Sequence, residues 1–198
     1  MPSTNRAEVT APSDNTIAVA RDFDAARSLV FLAFTRPELV RRWLLGPPGW
    51  TMPVCEIDLR VGGNYRYRWR SDAGDKQFGF TGIFTKIEPD LTLNHSERFE
   101  EAPDEGEAQI ETSFRDQGGK TRVTYLMVFA SKAARDVAAA TGMTDGMEMS
   151  FQGLDKLLAE RAGQLAVPPR VSAAAGLIVM AQSAHLARWK PSLLSPVT

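Results

Sequence analysis

The 198-residue chain contains one cysteine, two histidines and no apolar run long enough to cross a bilayer. A single thiol, Cys55, cannot form an intrachain disulfide and fits a reducing cytoplasm. His95 and His185 lie far from each other and from Cys55, so a zinc cluster lacks ligands and no cofactor is expected. The longest apolar stretch, Ala173 to Ala181, is interrupted by Gly176 and stops at Gln182. No membrane association is expected from it. The leading MPSTNRAEVTAPSDN has no apolar core to act as a signal peptide. A basic surplus is also missing: 23 Lys and Arg face 24 Asp and Glu, for a net charge of −1. Neutralising phosphates demands such a surplus, so nucleic acid is not an expected partner. Phosphate loops, nucleophile elbows and internal repeats are absent too.

What is present suits a globular domain, since 43% of residues are hydrophobic and can bury a core. Residues 1–13 read as a flexible lead. NTIAVARDF (15–23) alternates apolar and polar residues and predicts a strand. Asp24 is placed to cap a helix whose apolar stripe is Leu29, Val30, Ala33 and Phe34. Pro37 suits the first turn of a second short helix, ending at GPPG (46–49). Strand-like runs follow at 52–61, 64–70, 76–87, 91–100, 107–116 and 120–130, separated by turn signals that predict an antiparallel meander. The acidic stretch Glu97 to Glu111 marks a solvated loop among them. After Ala130 the composition turns helical. Beyond the break at Gly142, a long helix running to about Gly163 carries Met147, Phe151, Leu154 and Leu158 on one stripe. One sheet and one long helix must bury their apolar faces on each other. The expected class is α+β, a curved antiparallel sheet of about seven strands gripping a C-terminal helix. VPPR (167–170) then opens an extension, 164–198, which reads as an appendage, either a docked helix or a disordered tail, without a catalytic role.

This order resembles the START-type superfamily of the birch-pollen allergens and polyketide cyclases (SRPBCC proteins), a helix-grip fold. Within it, RDFDAARSLVFLAFTRPELVRRWLLGPPGWTMPVCEIDLRVGGNYRYRW is similar to the branch named after the activator of heat-shock protein 90 ATPase. GIFTKIEPDLTLNHSERFE, GGKTRVTYLMVFAS and ATGMTDGMEMSFQGLDKLLAE match that branch as well, so that the resemblance spans 15–163. It implies a hydrophobic cavity between sheet and long helix that holds small apolar ligands or supports their chemistry. No counterpart of the co-chaperones' separate N-terminal domain is visible. A chaperone-associated interaction role therefore stands third, behind ligand binding and behind an enzyme such as a cyclase, dehydratase or hydrolase.

The stretch NYRYRWR (64–70) puts Tyr65, Tyr67 and Trp69 on one strand face and its arginines on the other. A two-residue loop at Gly62-Gly63 would set Tyr67 beside Asp58. A three-residue loop (62–64) sets Val61 opposite Tyr65, Leu59 opposite Tyr67 and Ile57 opposite Trp69. The second register keeps every apolar side chain on one face and is the expected one. It pairs Arg68 with Asp58 and Arg70 with Glu56 on the outer face.

The expected cavity wall follows from the same alternation. Leu91, Leu93, His95, Glu97 and Phe99 share the inward face of one strand, and Val123, Tyr125, Met127 and Phe129 that of another. Met143, Met147 and Phe151 face them from the long helix, as adaptable lining or as plain core. Trp43, Trp50 and Tyr65 are expected at the mouth, beneath the 46–49 loop. His95 and Glu97 are the catalytic candidates, able together to move a proton, or else a structurally satisfied pair. Cys55 reads as a small core residue. The expected partner is a small apolar or aromatic ligand, with a homodimer left open.

Overall fold

The chain begins with a short strand β1 (Glu8–Thr10), then β2 (Thr16–Phe23) and two helices, α1 (Arg27–Thr35) and α2 (Pro37–Trp43). The meander comprises β3 (Trp50–Ile57), β4 (Asn64–Ser71), β5 (Gln77–Glu88), β6 (Thr92–Phe99), β7 (Ala108–Asp116) and β8 (Thr121–Val128). Helices α3 (Lys132–Ala140) and α4 (Met143–Ala166) follow. The structure, a computed structural model, describes residues 6–45 and 48–166. The extension beyond residue 166 and two residues of the 46–49 loop, Gly46 and Pro47, therefore lie outside the described residues.

All strands join one antiparallel sheet in the order β1-β2-β8-β7-β6-β5-β4-β3. Eight strands form it rather than about seven. The added one, β1, comes from the segment read as a lead and pairs with β2 at the sheet edge. Arg122 ties the two strands together through Glu8 and Asp22. Register shifts interrupt β3–β4 between Thr51 and Val54, and β5–β6 between Phe84 and Lys86. Such bulges raise the local twist and bend the strand, helping the sheet to curl around α4. Pro53, which has no N–H for a ladder, sits inside the first of them.

Helix α1 starts without a side-chain cap: its cap position is Ala26, while Asp24 pairs with Lys120 at 2.7 Å. Asp24 is used between elements and not within the helix. Pro37 occupies the first turn of α2, where its missing N–H costs nothing. At this end the interior is filled with rings. Phe114 receives Phe31 and Phe34 edge-on, with centroids 5.4 and 5.2 Å away. Phe23 meets Phe151 of α4 at 5.6 Å. Helix α4 buries Phe151, Leu154, Leu157 and Leu158, and approaches α2 closely at Gly153, where a Cβ would stand 3.1 Å from the Trp43 carbonyl. Among the described residues, no helix is long and apolar enough to cross a membrane.

One inward position in β2 is charged. Arg21 is 2% exposed, bonds Asp155 at 2.7 Å, lies 3.6 Å from Glu148, and donates to the Phe151 carbonyl at 3.2 Å. Its guanidinium stacks 4.9 Å from the Phe23 ring. The cation thus rivets β2 to α4, a contact that the alternation of NTIAVARDF does not reveal.

The β3–β4 hairpin departs from its expected register. Ile57 pairs with Tyr65 and Cys55 with Tyr67, leaving a loop over 58–63. The slip is by an even number of residues, so every side chain keeps its face. Leu59 and Val61 leave the strand and are exposed. Arg66 and Arg68 converge on Glu100, at 2.7 and 2.9 Å, and Arg68 also reaches Glu101, while Arg70 lies opposite Thr51 and not Glu56. Asp58 pairs with Arg60 instead. Glu100 lies past the end of β6, two strands away in sheet order, and no hairpin rule reaches that far.

Candidate functional site

Antiparallel pairing sets inward residues opposite one another in rows across the sheet. One row runs Ile17, Met127, Ile110, His95 and Phe84. The next runs Val19, Tyr125, Thr112 and Leu93. Where these rows run out from under the rings of α1 and α2, they border a cavity of about 800 Å³. Helix α3 and the first turns of α4 supply its helical wall.

Tyr67, Trp69, His95, Glu97, Phe99, Tyr125, Met127, Met143, Met147 and Phe151 all line this space. Trp43 and Tyr65 line it too, but both are buried and form its inner wall rather than a mouth. Their polar atoms explain the placement. Trp43 Nε1 donates to the Ala33 carbonyl at 2.9 Å, and Tyr65 is drawn towards β6 by its hydroxyl. Trp50 is not part of the wall; it packs edge-on against Phe78 at 5.2 Å, in a separate cluster with Met52, Cys55 and Trp69. Leu91 precedes β6 and is exposed, so it leaves the inward set. Cys55 is buried, and burial pushes its thiol up to about 11, which keeps it unreactive.

Several wall residues were missed. Phe78, Phe80 and Phe84 alternate along β5 and lie beside the β4 aromatics, so the same face rule would have found them. Ala134, Val137 and Ala138 come from α3, and Thr141 follows it; the helix has no buried residue although its apolar face borders the cavity. Its alanines signal a helix but not what the helix covers.

The polar end is built around Gly82. Tyr65 pairs with Gly82 across β4–β5, and a Cβ at that glycine would lie 1.8 Å from the Ser96 carbonyl oxygen. Only glycine allows β6 this close, and the approach brings Tyr65 Oη within 3.2 Å of the Ser96 carbonyl and 3.1 Å of Glu97 Oε2. The hydroxyl donates to either. His95 packs edge-on against the Tyr65 ring at 4.9 Å, with Nε2 3.9 Å from Glu97 Oε2. Its buried Nδ1 has no hydrogen-bond partner among the described residues.

Burial governs the charge state of this trio. It lowers His95 to about 4 and raises Glu97 to about 7, the latter against the pull of the Tyr65 hydrogen bond. The Glu97 side chain is 30% uncovered, yet that surface opens into the cavity and not onto an outer face. Tyr65 is held far above the usual phenol range by burial and by the Glu97 carboxylate. Near neutrality the site therefore offers a neutral imidazole, a phenol and a carboxyl group poised between its two states. It can donate and accept hydrogen bonds, and it can exchange one proton.

A protein from Rhodobacter sphaeroides, known from a crystal structure, is 30% identical to this chain and superposes with a TM-score of 0.73. The match covers 78% of this chain and 99% of that one. Protein Ms6760 from Mycobacterium smegmatis is 22% identical, with a TM-score of 0.69 over 76% of this chain and 95% of its own. A solution structure from Arthrobacter aurescens, 24% identical, gives 0.68 over 77% and 91%. The last two similarities speak for the fold alone. No curated protein matches the chain. The family described as activator of Hsp90 ATPase homolog 1-like protein matches residues 24–159, well over half of the sequence, and the chain belongs to it.

Proposed function

We propose that the protein binds a small hydrophobic ligand in the cavity between sheet and C-terminal helix. The observation that carries this reading is the cavity itself. Its volume of about 800 Å³ lies within the roughly 300–1,000 Å³ range of small-molecule sites. Rings and methionine side chains dominate the wall, and the polar groups gather at Tyr65, His95 and Glu97. A filled core would show no such space. A hydrophobic fluorescent dye should bind the folded protein at one site and quench Trp69. Met147→Trp should weaken it by occupying the space. Dye affinity indifferent to that substitution would place the pocket elsewhere.

A second reading, catalysis on a polyketide-like or aromatic substrate, is favoured by one observation. Glu97 sits near its midpoint at neutral pH, beside an imidazole that burial keeps unprotonated. A general acid or base works best with a pKa near the operating pH. Glu97 would give or take the substrate proton, and His95 would accept a hydrogen bond from a substrate hydroxyl. Turnover of such a substrate, lost in Glu97→Gln with binding retained, would favour this reading over binding alone.

A further inference from the structure

We propose that the preferred ligand is an apolar or aromatic amine, bound as its ammonium cation against Glu97 and the surrounding tyrosine rings. The proposal rests on the ligand-binding reading above and narrows it to one class of charge.

The sign of the cavity wall is the first argument. Among the described residues its ionisable side chains, the tyrosines aside, are Glu97, Glu107, Asp145 and His95, with no lysine or arginine in the lining. The nearby guanidiniums are engaged on the opposite face of the sheet, Arg66 and Arg68 with Glu100. Arg98 stands 3.9 Å from Glu107, so that acid has a cation within reach. Glu97 has none among the described residues: it meets the Tyr65 hydroxyl and the neutral His95 ring. A carboxylic-acid ligand would bring a second negative charge to this spot and find nothing to receive it. An ammonium ion would supply the counter-charge that the fold leaves out.

Ring placement is the second argument. The Glu97 charge is felt by the phenols of Tyr65, Tyr67 and Tyr125, which come from β4 and β8 and are all held protonated by burial. All three rings line the cavity with Glu97, Tyr65 donating its hydroxyl to that carboxyl at 3.1 Å, and aromatic rings attract an organic cation. The third argument is the Nε2 of His95, which stands 3.9 Å from Glu97 Oε2 on a ring that lines the cavity. In the neutral ring the Nε2 can accept one ammonium hydrogen while Glu97 takes another.

The pH dependence follows with a definite sign. Burial holds Glu97 near 7 in the empty site, and a bound ammonium would pull it down again. Amine affinity should thus rise as pH climbs through about 7 and fall once the amine itself deprotonates, near 10 for a simple alkylamine. His95 stays neutral over this range, as do the three tyrosines. Glu107 and Asp145 are the other acids facing the space.

The test compares naphthylmethylamine, naphthylmethanol and naphthoic acid, which share a ring system and differ in charge. Tryptophan fluorescence and calorimetry on the full chain, one pH unit below and above the Glu97 midpoint, would measure affinity. At the higher pH the amine should bind about tenfold more tightly than the alcohol, with the acid weakest. That advantage should shrink at the lower pH and vanish in Glu97→Gln. The wild-type pH profile needs no variant, so it decides the matter even if Glu97→Gln folds poorly. Equal affinity for alcohol and amine, or tightest binding of the acid, overturns the proposal. So does binding of the hydrophobic dye with none of the three naphthyl compounds. If neither dye nor compounds bind, the ligand-binding reading itself falls.

Discussion

The two ends of the interior share one sheet and one alternation rule, yet one is filled and the other is hollow. Under α1 and α2, Phe31, Phe34, Trp43 and Phe114 interlock, and buried Arg21 pins β2 to α4. Under α3, the rings of β4, β5 and β6 face open space, with a poised carboxyl among them. The difference lies in what comes down from above. Helices α1 and α2 bring bulky apolar side chains, whereas α3 brings alanine and one valine and buries nothing. Inward alternation tells which side chains leave solvent, and the opposing layer decides whether they meet protein or a ligand.

Truncations at the two ends should separate most widely. Phe114→Ala removes a ring held by two others and should cost about 3–5 kcal/mol in a urea titration. Phe99→Ala at the cavity wall should cost only about 1 kcal/mol, because it enlarges a space already open. Equal losses would mean that the cavity end is as tightly packed as the other.

Arg21→Met comes next. It strands Asp155 and Glu148 against the sheet without their cation, at a cost of about 3 kcal/mol. Dye binding in the surviving folded fraction should be unaltered. A loss of binding larger than the loss of fold would tie Arg21 to the cavity after all.

The pH response of the polar end is smaller and has two opposed limbs. Glu97 is raised in the folded state, so its stability contribution is full below 4.5 and is lost as pH rises to about 7. His95 is lowered, so its contribution is present above 6.5 and lost as pH falls to about 4. In the intact protein these limbs offset each other across the range where they overlap. His95→Leu should leave the Glu97 limb, making the protein more stable in mild acid than at neutrality by about 2 kcal/mol. Glu97→Gln should leave the opposite trend. His95→Leu and Glu97→Leu should each match or exceed the wild-type melting temperature at neutral pH, since each removes a buried polar group with incomplete partners. Destabilisation of both with unaltered dye binding would take the pair out of the site.

The smallest effect belongs to the outer face. Glu100→Gln should lower the melting temperature slightly, since it releases Arg66 and leaves Arg68 only Glu101. Asp58→Asn should change almost nothing, its partner Arg60 being exposed. The reverse ranking would restore the shorter hairpin loop.

Strand and helix positions were largely legible, because each strand of the meander alternates between turn signals and α4 carries its stripe at helical spacing. The inward identity of Tyr65, Tyr67, Trp69, His95 and Glu97 was legible for the same reason. The β3–β4 register was not, since any even slip preserves the faces and the bulge near Pro53 cannot be read from turn residues. Trp50 was assigned to the cavity by its neighbourhood in sequence, but its ring follows the edge strand to Phe78.

The sequence by itself determined the order of elements from β2 to α4, the α+β class and the face on which most strand residues lie, all of which depend on local periods of 2 and 3.6 residues. Tertiary structure decided the rest: that Arg21 is met by Asp155, that Glu100 and not Asp58 gathers the outer arginines, and that Gly82 lets Tyr65 reach Glu97. These contacts join residues far apart in the chain, and their distances depend on the curl of the sheet. Whether a buried carboxyl is neutral or charged is settled there too, because desolvation is a property of the whole enclosure.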